Sequence, residues 1–306
     1  MPFDKNDPRV APFVPRPERS TTVVTPPVAG EGHWAGAPSA VVADGFVYLA
    51  YRMRRPIGQG RGYAVVVARS TDGERFETLS TIFRGELEAE SLERPTLVKL
   101  SGGGWRLYLS CATYATKHWR VEAIEADDPA RFSARKNRST VLPGDASTAV
   151  KDTVIVRRDN VWHLWASCHP TDPYQADRMT TDYATSADGL DWTWHGTALQ
   201  SRPGKWDSRG VRVSAVRFLP EGVLAFYDGR SSAAENFEER TGIAFGADPT
   251  SLVPVGGTPA AKSPHRGGGL RYLDVVDLSD GGRQLFYEYT CADGTHELRT
   301  EVRPAG

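Results

Sequence analysis

Acidic side chains recur along this chain beside short apolar segments, and four of them are candidates for acid–base chemistry. They are Asp152, Glu93, Asp207 and Glu288. Cleavage of a glycosidic bond requires two carboxyl groups, one that protonates the leaving oxygen and one that activates water or attacks the sugar. If the segments converge in space, these carboxylates are the predicted catalytic residues.

A second set of side chains has the chemistry to hold a small polar ligand. Tryptophan offers a flat face to a sugar, and arginine, histidine and carboxylates form directed hydrogen bonds. Charged groups that converge on a narrow space are costly unless they are paired, so each belongs either to an ion pair or to a site. The predicted substrate-binding residues are Trp34, Arg94, His169, Arg212, Asp228, Arg230, Arg271 and Asp274.

The elements that position these residues follow from a repeat. A small residue, any residue, Asp and then Gly or Pro occur four times, with aspartates at 72, 128, 188 and 248, at steps of 56, 60 and 60 residues. A strand rich in aromatic residues, ending at 51, 110, 167, 228 and 288, recurs five times at nearly the same period. Each copy follows a turn signal such as Asp44-Gly45, which predicts that each unit begins with a hairpin.

This period is the size of one four-stranded blade, so the pattern predicts an all-β fold: a five-bladed β-propeller of four-stranded antiparallel blades. The fifth unit lacks the Asp signature and enough chain for a fourth strand. We expect the segment 21–24 of the N-terminal arm to supply that strand. The predicted organisation is an extended Pro-rich arm over residues 1–28 and one propeller domain over residues 29–306.

Composition excludes several classes of protein. The chain has 306 residues, 40% hydrophobic and 25% charged, and a net charge of −1, which gives no electrostatic reason to expect nucleic acid or a membrane as partner. It contains no apolar run long enough to span a bilayer and no secretory h-region near its start, so we expect a cytoplasmic protein. The three cysteines and seven histidines lack zinc-site spacing, so no cofactor is predicted, although the central channel could hold a structural calcium ion. The oligomeric state is left open.

The sequence resembles the five-bladed glycoside hydrolases of family 43 and their relatives in families 32, 62 and 117. The resemblance rests on the five-fold hairpin pattern and on Asp152 at the head of the apolar strand 153–156. It covers residues 34–302. It implies a small carbohydrate ligand, a furanoside or pentoside, bound at the mouth of the central channel.

The resemblance transfers the family's catalytic residues only in part. It implies that Asp152 is the third-blade aspartate that tunes and orients the others. Counting seven residues back from each hairpin turn, Asp152 aligns with Ala37 in the first unit and Arg94 in the second, so the first-blade catalytic aspartate is replaced by Ala37. In the fourth unit Asp207 stands where a glutamate is expected.

Two hypotheses therefore remain open from the sequence. The surplus of carboxylates favours a divergent glycosidase in which Glu93, Asp207, Asp274 or Glu288 works with Asp152. The replacement at Ala37 favours a propeller that binds a sugar or small polar ligand without hydrolysis, or that performs different chemistry. The distance between carboxyl groups discriminates, since retaining glycosidases have them about 5 to 5.5 Å apart and inverting ones about 6.5 to 9.5 Å apart.

Overall fold

The structure is a computed structural model that describes residues 4–305. Within that range, strands form nearly all the regular structure, and the helical segments are short 3₁₀ turns at Ala11–Phe13, Pro17–Arg19, Arg84–Leu87, Pro129–Arg131 and Ala233–Glu235. The prediction of an all-β fold is confirmed. None of the helical segments in the described range is long and apolar enough to cross a membrane.

Twenty strands follow in chain order. The first is β1 (Thr21–Val24), from the N-terminal arm. The next eight are β2 (Trp34–Ala43), β3 (Phe46–Arg54), β4 (Gly62–Ser70), β5 (Glu77–Phe83), β6 (Leu92–Lys99), β7 (Trp105–Ala112), β8 (Trp119–Ala126) and β9 (Arg138–Leu142). The remaining strands are β10 (Thr148–Arg158), β11 (Val161–Pro170), β12 (Thr180–Ser186), β13 (Thr193–Leu199), β14 (Gly210–Leu219), β15 (Gly222–Arg230), β16 (Arg240–Gly246), β17 (Val253–Val255), β18 (Leu270–Asp277), β19 (Arg283–Thr290) and β20 (His296–Arg303).

These strands pair as antiparallel runs of four. The runs β6 to β9 and β10 to β13 are separate four-stranded sheets. The other twelve strands form one mixed sheet, in which the runs β2 to β5, β14 to β17 and β18 to β20 with β1 are joined by two single-residue parallel bridges. The first strands of the runs contact one another in a closed order: β2 with β6, β6 with β10, β10 with β14, β14 with β18 and β18 with β2.

Local sequence accounts for the hairpins and outer turns. Asp44 and Gly45 both have positive φ, as do Asp159 and Asn160, which is the geometry of a two-residue hairpin turn that matches strand twist. In the repeated signature the aspartate carboxylate accepts hydrogen bonds from backbone N–H groups two or three residues ahead, as Asp72 does from the N–H of Arg75 at 2.8 Å. The repeated Asp therefore specifies the turn between the third and fourth strands of a run.

The N-terminal segment packs on the last run. Strand β1 pairs antiparallel with β20, with Thr21 opposite Thr300, as the sequence predicted for segment 21–24. Ahead of β1, the side chains of Val10, Phe13 and Val14 are buried against strands β15, β18 and β19. The segment thus covers an edge strand that would otherwise expose unpaired backbone groups.

A β-bulge interrupts the first strand of each run at the same place. The pairing register shifts after Gly36, Leu92, Lys151, Val213 and Arg271. Bulges re-aim side chains, and here they turn charged groups into the space enclosed by the five first strands. The first bulge residues Ala37, Asp152 and Tyr272 all have φ between 52° and 54°.

Candidate functional site

The beginnings of the first strands and the ends of the second strands surround two connected cavities. The outer cavity has a volume of about 380 Å³ and is lined by Arg54, Arg61, Glu93, Lys117, Trp119, Lys151, His169, Pro173, Tyr174, Ala176, Asp177, Met179, Arg209, Arg230, Ala233, Asn236 and Phe237. The inner cavity, of about 30 Å³, is lined by Arg54, Glu93, Lys151, Met179, Arg212, Arg230, Asn236, Phe237, Glu239, Arg271 and Tyr272. We refer to them by these names below.

Glu93 lines both cavities and is the carboxylate best placed to meet a ligand. It is the first bulge residue of β6, and its carboxylate is bound by Arg52 and, at 3.2 Å, by Arg54. Burial alone would raise the pKa of Glu93, but the charges of Arg52, Lys151 and Arg54 outweigh burial and lower it to about 2. Glu93 is therefore ionised at neutral pH.

Asp152 lies directly behind the cavity wall and is fully buried. Its carboxylate receives Arg212 at 3.1 Å, Lys151 at 3.3 Å and the backbone N–H of Arg94 at 3.2 Å. It does not line the outer cavity, because Lys151 lies between them. The structure thus places Asp152 as a residue that holds the cations around it.

Tyr272 connects these two carboxylates and is the most informative residue that the sequence analysis missed. Its hydroxyl lies 3.4 Å from an oxygen of Glu93 and 3.5 Å from an oxygen of Asp152. Those oxygens are therefore less than about 7 Å apart, which is compatible with the retaining window and with only the lower end of the inverting window. Tyr272 occupies the bulge position equivalent to Asp152, and that equivalence is the signal that could have identified it.

The bulge register also corrects one alignment made from the sequence. Counting back from the hairpin turns equated Arg94 with Asp152, but Leu92 and Lys151 are the equivalent last residues before the bulge, which equates Glu93 with Asp152. The turn of the second run, at 101–104, is longer than the two-residue turn at 159–160, so the count slips by one residue.

Glu288 and Asp228, two further candidates, lie deeper and are saturated with cations. Glu288 is bound by Arg271 at 2.7 Å, by Arg52 at 2.6 Å and by the Nδ1 of His296 at 2.7 Å. Asp228 accepts from Arg212 at 2.8 Å and from the backbone N–H of Tyr272. Neither lines the outer or the inner cavity, so both act in the ion-pair network beneath the site.

The network also contains Glu239, which the sequence analysis did not select. It precedes β16 and bridges Arg230 to Arg271, the latter at 2.6 Å. Arg212, Arg230 and Arg271, all predicted as binding residues, line the inner cavity.

Asp207 lies apart from this cluster. Its carboxylate is bound by Arg202 at 2.9 Å and accepts from the Tyr227 hydroxyl at 2.7 Å. It lines neither cavity. The structure therefore does not bring Asp207 together with Glu93 and Asp152.

Arg94 and Asp274 face a different cavity, at the opposite end of the space enclosed by the first strands. This lower cavity, of about 330 Å³, is lined by both residues together with strand residues such as Thr96. Arg94 donates to the backbone carbonyl of Ser214 at 2.7 Å, and Asp274 accepts from the backbone N–H of Ala40 at 2.7 Å. The two residues close the channel below the site and do not line its outer mouth.

The aromatic groups divide into one that reaches the outer cavity and two that do not. Trp119 lines the outer cavity, and the Nζ of Lys151 lies 4.7 Å from its ring centroid. Trp34 is buried, with His296 stacked on it at 4.4 Å and the Arg54 guanidinium 4.1 Å from its centroid. Trp206 stacks on Tyr227 at 5.7 Å. Both faces of Trp34 are thus contacted by protein, which leaves Trp119 as the candidate sugar platform.

Phe237 separates the outer cavity from the inner one. It lies between β15 and β16, has a φ of 80° and packs 5.0 Å from Trp34. A non-glycine residue in the left-handed region is uncommon and marks a position that the surrounding contacts hold in place. The ring covers the inner cavity, and Glu93 reaches past it.

The ion-pair network predicts that the fold loses stability in acid. Because the pKa of Glu93 is about 2 in the folded state, below its ordinary value of 4.5, its ionised form stabilises the protein above pH 4.5 and this contribution disappears as pH falls towards 2. Urea unfolding across that range should show the free energy of unfolding falling, and Glu93→Gln should show a shallower fall than the wild type. The exposed Glu74→Gln is the control. Identical slopes for wild type and Glu93→Gln would contradict the assignment.

Among the described residues, no group of three or more His, Cys, Asp or Glu side chains has the geometry of a metal site.

Comparison with known proteins places these features on a familiar fold. No known family profile matches the sequence, and no curated protein matches it. Solved structures do match over nearly the whole chain. A thermostable family-43 glycoside hydrolase gives a TM-score of 0.67 at 13% identity, covering 92% of this chain and 96% of that one.

Two further structures extend the comparison. The α-L-arabinofuranosidase from Lactobacillus brevis gives a TM-score of 0.64 at 17% identity, covering 88% of this chain and 90% of that one. The β-1,2-mannobiose phosphorylase from Listeria innocua, solved with β-1,2-mannobiose, gives 0.63 at 17% identity, covering 99% and 96%. The resemblance to glycoside hydrolases is thus confirmed at the level of fold: the chain is a divergent protein with the architecture that these sugar-active enzymes share.

Proposed function

We propose that the protein is a glycosidase-like enzyme that acts on a glycoside, of the furanoside or pentoside class, in the outer cavity. The observation that carries the proposal is the position of Glu93, an ionised carboxylate that lines both cavities. The similarity of fold to glycoside hydrolases supports it. The proposal takes the five antiparallel runs as the blades of a five-bladed propeller over residues 29–306 of a cytoplasmic protein.

In this proposal Glu93 is the catalytic carboxylate. As a base it takes a proton from water while the water oxygen bonds to the anomeric carbon and the bond to the leaving oxygen breaks; as a nucleophile it forms that new bond itself, and water later displaces it. The leaving oxygen gains a proton from solvent or from an acid. A good aryl leaving group departs without that proton, so an aryl glycoside reports on Glu93 alone.

Asp152 is the positioning residue of the same proposal. It fixes Lys151 and Arg212, which lie beside Glu93, and its link to Tyr272 sets the far side of the inner cavity. This role agrees with the one that the family resemblance implies for a third-blade aspartate.

A second candidate function, sugar binding without hydrolysis, is favoured by the other acid at the cavity. Asp177 is the only further carboxylate among the residues that line the outer cavity. Burial would raise its pKa, but the hydrogen bonds and charge of Arg209 lower it, with both oxygens held at 2.7 and 2.9 Å. A carboxylate in that state is a poor proton donor, and Ala37 supplies none.

Product release from a panel of aryl furanosides and pyranosides tests the proposal. We expect turnover by the wild type and a loss of about 10-fold or more in Asp152→Asn, since misplacing positioned groups by about 1 Å can cost 100-fold. Asp207→Asn is the matched control, because Asp207 is equally buried and bound by arginine but lies outside both cavities.

Two outcomes contradict the hydrolytic proposal. Saturable binding of a glycoside with no turnover would establish the second candidate. Turnover only in the presence of inorganic phosphate would replace hydrolysis by phosphorolysis, in which phosphate takes the place of water.

A further inference from the structure

Cations outnumber carboxylates on the wall of the outer cavity. Six lining residues carry a permanent positive charge, namely Arg54, Arg61, Lys117, Lys151, Arg209 and Arg230, whereas two carboxylates, Glu93 and Asp177, line it. The acids that balance Lys151 and Arg230 are Asp152 and Glu239, which lie behind the wall. A ligand in this cavity therefore meets the positive side of the network.

Lys117 contributes charge without an internal partner. It is exposed on the connection between β7 and β8, and among residues 4–305 no carboxylate forms an ion pair with it. It also lines an adjoining depression of about 690 Å³, which begins at Arg61 and Trp119. The positive wall thus continues outward from the cavity, in the direction from which a ligand would enter.

His169 supplies an independent indication of a polyhydroxylated ligand. It is 5% exposed and lines the outer cavity, and its Nε2 has no hydrogen-bond partner in the protein. Its Nδ1 lies 3.4 Å from the carbonyl oxygen of Pro170, which can only accept, so Nδ1 carries the proton and Nε2 is an acceptor. Burial lowers the pKa of His169 to about 4. A neutral acceptor of this kind suits a sugar hydroxyl.

From these observations we propose that the sugar bound in the outer cavity carries an anionic group, a carboxylate or a phosphate ester. Lys117 and Lys151 would receive the anion, and Nε2 of His169 would accept from a hydroxyl of the same sugar. Charge-assisted hydrogen bonds are about twice as strong as neutral ones, so the anion is expected to dominate recognition. This inference rests on the proposed sugar site, but it concerns binding and does not require turnover.

Isothermal titration with matched ligand pairs tests it. The pairs are methyl β-glucuronide with methyl β-glucoside, methyl α-galacturonide with methyl α-galactoside, and glucose 6-phosphate with glucose; inorganic phosphate is titrated alone. We expect the acidic member of at least one pair to bind about 10-fold more tightly than its neutral partner, with affinity that falls as salt screens the charges.

Variants separate the two kinds of contact. Lys117→Gln should weaken the acidic member by about 3- to 5-fold, as expected for an exposed charge, and leave the neutral member unchanged. Lys136→Gln removes the same charge from an exposed turn in the same run and should change neither. His169→Ala should weaken both members of the pair by a similar factor.

The outcomes are decisive in each direction. Equal affinity within every pair, or tighter binding that survives high salt and Lys117→Gln, would overturn the inference. Inorganic phosphate that binds as tightly as the best sugar acid would also overturn it, because the cations would then serve a free oxyanion. Acidic sugars that bind without being cleaved would support this inference while contradicting the hydrolytic function, so the two failures are distinguishable.

Discussion

Glu93→Gln should lower kcat on an aryl glycoside by about 100- to 10,000-fold while changing KM much less, which is the usual effect of removing a general acid–base group. The amide keeps the shape of the side chain but can neither accept a proton from water nor attack the sugar. The loss should fall on the chemical step because Glu93 lines the cavity, whereas the acids that surround it are buried in ion pairs.

The substitution also removes a partner from Arg52 and Arg54, so its structural effect must be measured separately. Breaking a buried ion pair can cost about 3 to 5 kcal/mol of stability. Activity is therefore compared well below the unfolding temperature of the variant. Glu90→Gln, which removes a carboxylate paired with Arg61 at 3.0 Å at the adjoining depression, is the control and should retain kcat. A Glu93→Gln variant that is folded and fully active would remove Glu93 from the mechanism.

Deletion of residues 1–28 should lower the melting temperature by about 10 °C or more. The deletion exposes the surfaces that Val10, Phe13 and Val14 cover, and each buried apolar side chain contributes about 1.5 to 3 kcal/mol. At about 2 to 4 °C per kcal/mol for a chain above 150 residues, the loss exceeds 10 °C. Strand β20 also becomes an unpaired edge.

Further contacts of the arm are polar and specific. The guanidinium of Arg303 donates to the carbonyl of Val14 at 3.0 Å, and the backbone N–H of Arg16 donates to Glu301 at 2.6 Å. Deletion of residues 1–6 is the control, since residues 4–6 are exposed, and it should leave the melting temperature unchanged. If both deletions melt as the full chain does, the arm does not hold the last run in place. Scanning calorimetry measures both.

Local chemistry made most of the fold predictable. The hairpins begin at turns whose residues tolerate positive φ, and the repeated aspartates bind backbone N–H groups of the turn that follows, so short stretches of sequence specify these elements by themselves. The pairing of segment 21–24 was also predictable, because the last unit had an edge strand without a partner.

The candidate site was less predictable because it depends on register and on loops. A shift of one residue turns a side chain to the other face of a strand, and the bulge in β6 brings Glu93, where the count from the turn pointed to Arg94. Phe237 and Glu239 come from the connection before β16, whose path the repeat does not determine. Asp207 and Asp274 were selected by position beside a strand, but their carboxylates face Tyr227 and the lower cavity.

The most direct test of the proposed site is a crystal structure of Glu93→Gln bound to the aryl glycoside that the wild type cleaves fastest. We predict that the sugar occupies the outer cavity with its anomeric carbon next to the side chain at position 93, one face near Trp119 and a hydroxyl at Nε2 of His169. A glycoside bound elsewhere on the protein, or one whose anomeric carbon lies beyond contact with that side chain, would contradict the account.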